Sequence, residues 1–276
     1  VKAADEVVKG TLFRMGSAAP LDGGLSWAPL EPGREQPINC YLVTEGDRAT
    51  LVDTGPALFR SIILEQLKAI RPANVPLTAF MTRSELECSG NLAAIHEDDP
   101  VARVIIGGGQ NPFDGYDQVT SDAGSAVERQ ALPNTGDINT PLGDSTRLLL
   151  IPARFRILTT YWLYDKQTRT LFCSDVFGHT SHRPGESAVL ASVAEDTTTR
   201  ESAERHLFAK FAWLLDARTR PLQDWLERLF GEIDVENLAP THGRVLCGRV
   251  LVEKHFGIVQ DILRSVERGD YKELAS

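Results

Sequence analysis

Cysteine is scarce in this 276-residue chain: there are four, Cys40, Cys88, Cys173 and Cys247, and no two form a C-x-x-C pair. That absence excludes a zinc knuckle or a thioredoxin-like redox motif. Most of the four sit in apolar segments and read as the reduced, buried thiols of a cytoplasmic protein; only Cys88 has polar neighbours. Positive charge is also in deficit, with 29 Lys and Arg against 38 Asp and Glu, a net charge of −9. Such a balance argues against nucleic acid or an anionic membrane as partner. No apolar run is long enough to span a bilayer, and no secretory leader is recognisable. The first residue is Val1 rather than Met, compatible with a processed or shortened start. Gly107-Gly108-Gly109 lacks the spacing of a dinucleotide fingerprint and reads as a turn. Neither Ser84 nor Ser89 stands in a G-x-S-x-G elbow, which counts against a serine nucleophile. With no linker, repeat or low-complexity tract, residues 1–276 read as a single domain.

What is present is a succession of strand and helix patterns. "INCYLVTEGDRATLVDTG" (residues 38–55) predicts two strands joined by Glu45-Gly46-Asp47. "PALFRSIILEQLKAI" follows, with Leu58, Ile62, Ile63, Leu67 and Ile70 near helical spacing and Pro56 in the first turn. "PLTAFMT" predicts a strand, "NLAAI" the start of a helix, and "ARVIIGGG" another strand. This β-α-β-α order favours an α/β layered fold. Residues Gln110 to Asp144 read as loop, with one short helix around Ala126 to Gln130. "TRLLLIPA", "ILTTYWLYD" and "TRTLFCSD" predict further strands, the last two an antiparallel pair. Residues 179 to 200 read as an irregular surface loop. "ESAERHLFAKFAWLLDA", "PLQDWLERLFGEI" and "VLVEKHFGIVQDILRSV" each carry an apolar stripe of helical period, and "VENLAPTHG" between the last two is a short strand and turn.

Side chains suited to chemistry gather after four predicted strands, where α/β proteins commonly assemble their sites. Arg83, Glu85, Glu87 and Cys88 follow "LTAFMT". Asp175 follows "TLFCS", His242 follows "ENLAP", and Asp53 follows "TLV", where it more often orders a turn. His179 and His182 flank the loop after Asp175. His96, His206 and His255 fall on helices and read as surface or packing residues.

In order and spacing, these segments resemble the metallo-β-lactamase superfamily, and within it the core domain of flavodiiron proteins. The family's loop His-x-Glu-x-Asp-His-x-Gly is matched by Arg83-Ser84-Glu85-Leu86-Glu87-Cys88-Ser89-Gly90. Its Ser-Asp-x-Phe-Gly segment is matched by Ser174-Asp175-Val176-Phe177-Gly178, and its closing Pro-Ser-His-Gly by Pro240-Thr241-His242-Gly243. The resemblance covers roughly residues 36 to 265 and implies an αββα sandwich with metals at one edge. It also implies a homodimer and a redox or flavin-bearing partner, since no flavin site is evident in this chain.

The departures from the pattern divide the implied centre in two. One half keeps Glu85 and the bridging Asp175, but Arg83 replaces its first histidine. After Pro152-Ala153 come Arg154, Phe155, Arg156 and Ile157, with no histidine. Arginine cannot deprotonate to become a ligand, and its charge repels a cation. This half is therefore expected to hold no metal, Arg83 pairing instead with Glu85 and Asp175. The other half offers Glu87, Cys88, Asp175 and His242, all competent for a single Zn²⁺ or Fe²⁺. The plainer reading stands beside it, with Cys88 a small buried residue and the carboxylates paired to arginines. Arg154, Arg156 and His179 are the candidates to line the pocket. At most one Zn or Fe per chain is expected, or none.

Three functions fit these residues. One is a protein of flavodiiron descent with normal di-iron turnover lost. The second is a mononuclear Zn or Fe hydrolase, in which the metal lowers the pKa of bound water. The third is a non-catalytic partner subunit or anion-binding module with an arginine-lined pocket.

Overall fold

The alternation of side chains along the strands produces three separate cores, and with them four layers. The computed structural model describes residues 3–72, 74–107, 113, 127–132, 140–143 and 145–271. The first sheet contains β1 (Asp5–Val8), β2 (Leu12–Pro20), β3 (Glu35–Glu45), β4 (Arg48–Val52), β5 (Leu77–Met81), β6 (Val101–Gly107) and β7 (Glu128–Leu132), in that order across the sheet. The second contains β8 (Thr140–Pro141), β9 (Leu148–Pro152), β10 (Tyr161–Asp165), β11 (Thr170–Ser174), β12 (Val189–Leu190), β13 (Asn237–Pro240) and β14 (Val245–Cys247), in the spatial order 12-14-13-11-10-9-8. The helices are α1 (Arg60–Ile70), α2 (Leu86–Ser89), α3 (Leu92–Asp98), α4 (Arg200–Lys210), α5 (Arg220–Glu232) and α6 (Arg249–Arg268).

In β10, Tyr161 and Leu163 enter the core between the sheets, whereas Trp162 and Tyr164 enter the core under α4, α5 and α6. In β4, Val52 faces the other sheet while Ala49 and Leu51 face α1 and α3. Strands buried on both faces need an apolar residue at nearly every position, and all five residues of β10 and of β11 are buried. The result is an αββα sandwich. Among the described residues no helix is long and apolar enough to cross a membrane.

The β3–β4 hairpin has the register Glu45↔Arg48, with Gly46 at φ 58° in the turn. From β4 to β7 the strands run parallel, so their C-terminal ends lie along one edge. In the second sheet β11 and β13 are also parallel. Asn39 of β3 joins the two sheets there: its backbone N–H donates to Thr241 O at 2.7 Å, and its side-chain amide donates to Pro240 O and Gly243 O, both at 2.8 Å. The ends of β4, β5, β11 and β13 are thereby held together.

Several elements differ from the sequence expectation. The predicted helix around Ala126 to Gln130 is instead β7, because residues 128–132 pair in parallel with β6 from Arg103↔Glu128 to Gly107↔Leu132; long-range pairing overrides local preference. Most of the predicted loop, and Gly108 and Gly109 of the predicted turn, lie outside the described residues. The apolar stripe across residues 201–217 breaks at Phe211, which leaves helical geometry at φ −121° and ψ 54°. A 3₁₀ turn, Ala212–Asp216, completes the segment. Leu58 precedes α1 and is exposed rather than on its buried stripe.

Candidate functional site

Asp53 stands at the end of β4, where β4, β5 and β13 converge. Its carboxylate accepts from the Thr82 N–H at 2.8 Å, the Thr82 hydroxyl at 2.9 Å and the Thr241 hydroxyl at 3.1 Å. Burial raises its pKa to about 6, with Arg83 pulling the other way. Asp53 adopts φ 58° and Ser174 φ 52°, backbone values uncommon outside glycine that recur where structure holds a site. Two glycines permit the loops to meet here. A Cβ on Gly243, at φ +88°, would lie 2.7 Å from Gly178 O, and one on Gly178 would lie 2.7 Å from His242 O.

Arg83 is 1% exposed and sits at the centre of the cluster. Its Nε donates to Glu85 Oε2 and its Nη2 to Glu87 Oε1, each at 2.5 Å, and Nη1 donates to Ser174 Oγ at 2.7 Å. Nη2 also lies 2.9 Å from Asp175 Oδ1, a charge contact without hydrogen-bond geometry. Lys210, at the end of α4, reaches the same three acids: its Nζ is 3.2 Å from Glu87, 3.4 Å from Asp175 and 3.7 Å from Glu85. His242 closes the group, with Nε2 2.7 Å from Glu87 Oε2 and Nδ1 3.2 Å from Asp175 Oδ1. Trp27 stacks on His242 with ring centroids 5.0 Å apart, and Lys210 Nζ lies 5.5 Å from the Trp27 ring.

The titration of each group follows from these neighbours. Burial disfavours the Glu87 carboxylate, but His242 and Arg83 more than reverse it and hold its pKa well below the usual range. The same contest lowers Asp175, where burial is overcome chiefly by Arg83 and His242. Burial raises Glu85, aided by Glu87 and opposed by Arg83. Burial works against the charge on His242, yet Glu87 and Asp175 raise its pKa. Lys210 is likewise raised, its burial outweighed by the acids. With all six ionised, the three acids and the three bases cancel.

The sequence candidates separate in space. Arg83, Glu85, Glu87, Asp175 and His242 come together. Glu87, Asp175 and His242 form a group able to hold a metal ion, with one ligand atom from each lying within 4.8 Å of the others. Cys88 is not in that group. It is wholly buried, its sulfur sits 3.7 Å from Thr82 Oγ1, and burial drives its thiol pKa well up despite Arg83. Arg154 and Arg156 do not line the adjoining cavity: Arg154 is exposed and the buried residue between them is Phe155. His179 does line it, together with Trp27, Gln36, Lys210 and His242. Of the helix histidines read as surface or packing residues, His206 and His255 are buried and also hydrogen-bonded. His206 Nε2 is 3.3 Å from Glu31 Oε2, and His255 bonds both His179 and Asp196. Lys210 and Trp27 carry no local signal, since each arrives from a segment remote from the motifs.

A family model described as ODP family beta lactamase matches residues 37–243. Among solved structures, rubredoxin oxygen:oxidoreductase from Desulfovibrio gigas is 17% identical at a TM-score of 0.69, with 96% of this chain and 61% of that chain covered. The metal-soaked Flv1 flavodiiron core from Synechocystis sp. PCC6803 is 18% identical at a TM-score of 0.64, covering 96% and 62%. The peroxy diiron species of the chemotaxis sensor ODP is 15% identical at a TM-score of 0.55, covering 94% and 92%. No curated protein matches the sequence. At these identities the likeness to solved structures establishes the fold alone, and this chain spans less than two thirds of the length of the first two.

Proposed function

The chain belongs to the ODP family beta lactamases, and we propose that it binds a ligand at the fold's metal edge without running di-metal chemistry there. The observation that carries this reading is the placement of Arg83, whose guanidinium lies within 2.9 Å of Glu85, Glu87 and Asp175 at once. A dinuclear centre needs those oxygens as ligands. A permanently charged guanidinium cannot join them as a ligand and repels a metal cation that approaches. Lys210 lies against the same three acids. The residues present therefore do not fit two metals, and two side-chain cations supply the positive charge instead. With all six groups ionised the cluster's charges sum to zero, and in that state it offers no excess positive charge to an anion.

One observation favours a second reading. Glu87, Asp175 and His242 converge tightly enough for a single Zn²⁺ or Fe²⁺, as a mononuclear hydrolase requires. A cation there would have to displace Lys210 and take the proton from His242, so this reading ranks second.

Elemental analysis of protein purified without added metal or chelator separates the readings. The expected result is metal far below one ion per chain. One Zn or Fe per chain, lost in His242→Ala, selects the mononuclear reading. Two irons per chain overturn both.

A further inference from the structure

A second line of buried polar groups, outside the Arg83 cluster, ends at the same cavity. Asp196 Oδ2 lies 3.0 Å from His255 Nε2, and His255 Nδ1 lies 2.8 Å from His179 Nε2. The two imidazoles stack with centroids 5.1 Å apart. His255 is 0% and His179 3% exposed, and the Asp196 side chain is 1% exposed. His179 lines the cavity, and its remaining nitrogen, Nδ1, is buried with no partner among the described residues.

The direction of each hydrogen bond follows from donor and acceptor inventories. Asp196 is held ionised, its burial outweighed by His255 and Lys254. An ionised carboxylate only accepts, so His255 Nε2 is the donor. Lys254 Nζ, 2.6 Å from Asp196 Oδ2, already supplies that carboxylate with a counter-ion. With the His255 proton on Nε2, towards Asp196, its Nδ1 accepts from His179 Nε2–H. Burial holds the His179 pKa well below the usual histidine value, so that ring is neutral. Its Nδ1 is left as a bare acceptor.

Two other orphaned groups belong to residues lining the same cavity. Gln36 is 2% exposed, and its Nε2 donates to Gly178 O at 2.9 Å. That bond fixes the amide orientation and leaves Oε1 buried and unsatisfied. Trp27 Nε1–H, a donor only, is buried and unsatisfied as well. Unmet polar atoms in a native interior call for an occupant, and these call for one that donates twice and accepts once. The cavity is narrow and suits a molecule of a few heavy atoms.

We propose that this cavity is a binding site for a small neutral O–H donor, held by His179 Nδ1 and Gln36 Oε1 as acceptors and Trp27 Nε1 as donor. Asp196 and His255 are positioning residues that set the His179 tautomer. The site discriminates against small anions, which bring no proton to the two acceptors and find no unpaired cation in the Arg83 cluster. This inference names the ligand class for the proposed site and rests on that reading, since Asp175, Lys210 and His242 line the same cavity; the tautomer of His179 is read separately from metal content.

The test is ¹⁵N-histidine NMR on the full chain at neutral pH, with hydroxylamine as donor probe and azide and nitrate as anion probes. In the unmodified protein His179 is expected to carry its proton on Nε2, and hydroxylamine to shift the Nδ1 resonance saturably while the anions leave it unmoved. Asp196→Asn is expected to return His179 towards the mixed tautomers of a free imidazole and to weaken hydroxylamine about tenfold, the loss of one good hydrogen bond. A proton on His179 Nδ1 in the unmodified protein would overturn the proposal without recourse to any variant. So would azide binding at least as tightly as hydroxylamine, or an Asp196→Asn protein, folded by circular dichroism, in which neither tautomer nor affinity changes.

Discussion

Arg83 shows how one side chain alters the chemistry of a whole site. Its guanidinium sits in contact with Glu85, Glu87 and Asp175, two of which converge with His242 as metal ligands would. Replacing Arg83 with Met leaves three carboxylates sharing Lys210 and His242 as their nearby bases among the described residues. Removing one partner from a buried ionic cluster costs about 3–5 kcal/mol, so urea denaturation of Arg83→Met is expected to show a loss of that order. Added Zn²⁺ is expected to raise the unfolding midpoint of the variant and not of the unmodified protein. Equal stabilisation of both by Zn²⁺ would contradict the view that Arg83 keeps cations out. The sequence displayed this substitution openly, because arginine has no protonation state compatible with ligation. It did not display the fate of Cys88, whose residue type suits either a ligand or a packed thiol; only the direction of its side chain decides.

At the scale of elements, the site depends on four strand ends and on two glycines that let the 178 and 243 loops touch. Gly243→Ala places a Cβ where L-residues are strained, at φ +88°, and 2.7 Å from Gly178 O. The left-handed backbone alone costs about 1–2 kcal/mol, and the contact adds to it. A lowered thermal midpoint and a displaced His242 NMR resonance are expected; an unchanged His242 environment would show that the loops can part freely. The β10 and β11 strands were legible because both their faces are apolar. The strand β7 was not, since its pairing with β6 is a long-range event that five residues of local sequence do not encode. The break at Phe211 was equally hidden, because an apolar stripe persists through it.

At the scale of the molecule, Glu31 fastens the loop between β2 and β3, on the first sheet, to α4 on the far helical layer. Its carboxylate lies 3.0 Å from Arg205 Nη2 and 3.3 Å from His206 Nε2, and accepts from Ser181 at 2.9 Å. The hydrogen bond with His206 is the largest influence on it; burial opposes, Arg205 adds to the lowering, and the pKa falls from 4.5 to about 2. The unfolded chain therefore binds more protons at this group than the folded one between those values, and stability rises with pH there. The contribution is intact above about pH 4.5 and is lost as pH falls towards about 2. Thermal melts across this window are expected to decline less steeply in Glu31→Gln than in the unmodified protein. Parallel declines would show that the clasp adds nothing.

The sequence by itself determined the layered fold and the identity of the altered site. Strand alternation, helical stripes and the order of three short motifs are properties of neighbouring residues, and burial acts on them locally. It also carried the expectation that one half of the implied centre lacks ligands, because arginine has no protonation state suited to ligation. Only the tertiary structure decided which groups face one another. It brought Lys210 and Trp27 to the cluster and lined up Asp196, His255 and His179 behind the cavity. These residues come from segments far apart in the chain, and their roles rest on distance and direction, quantities that exist only once the sheets have packed.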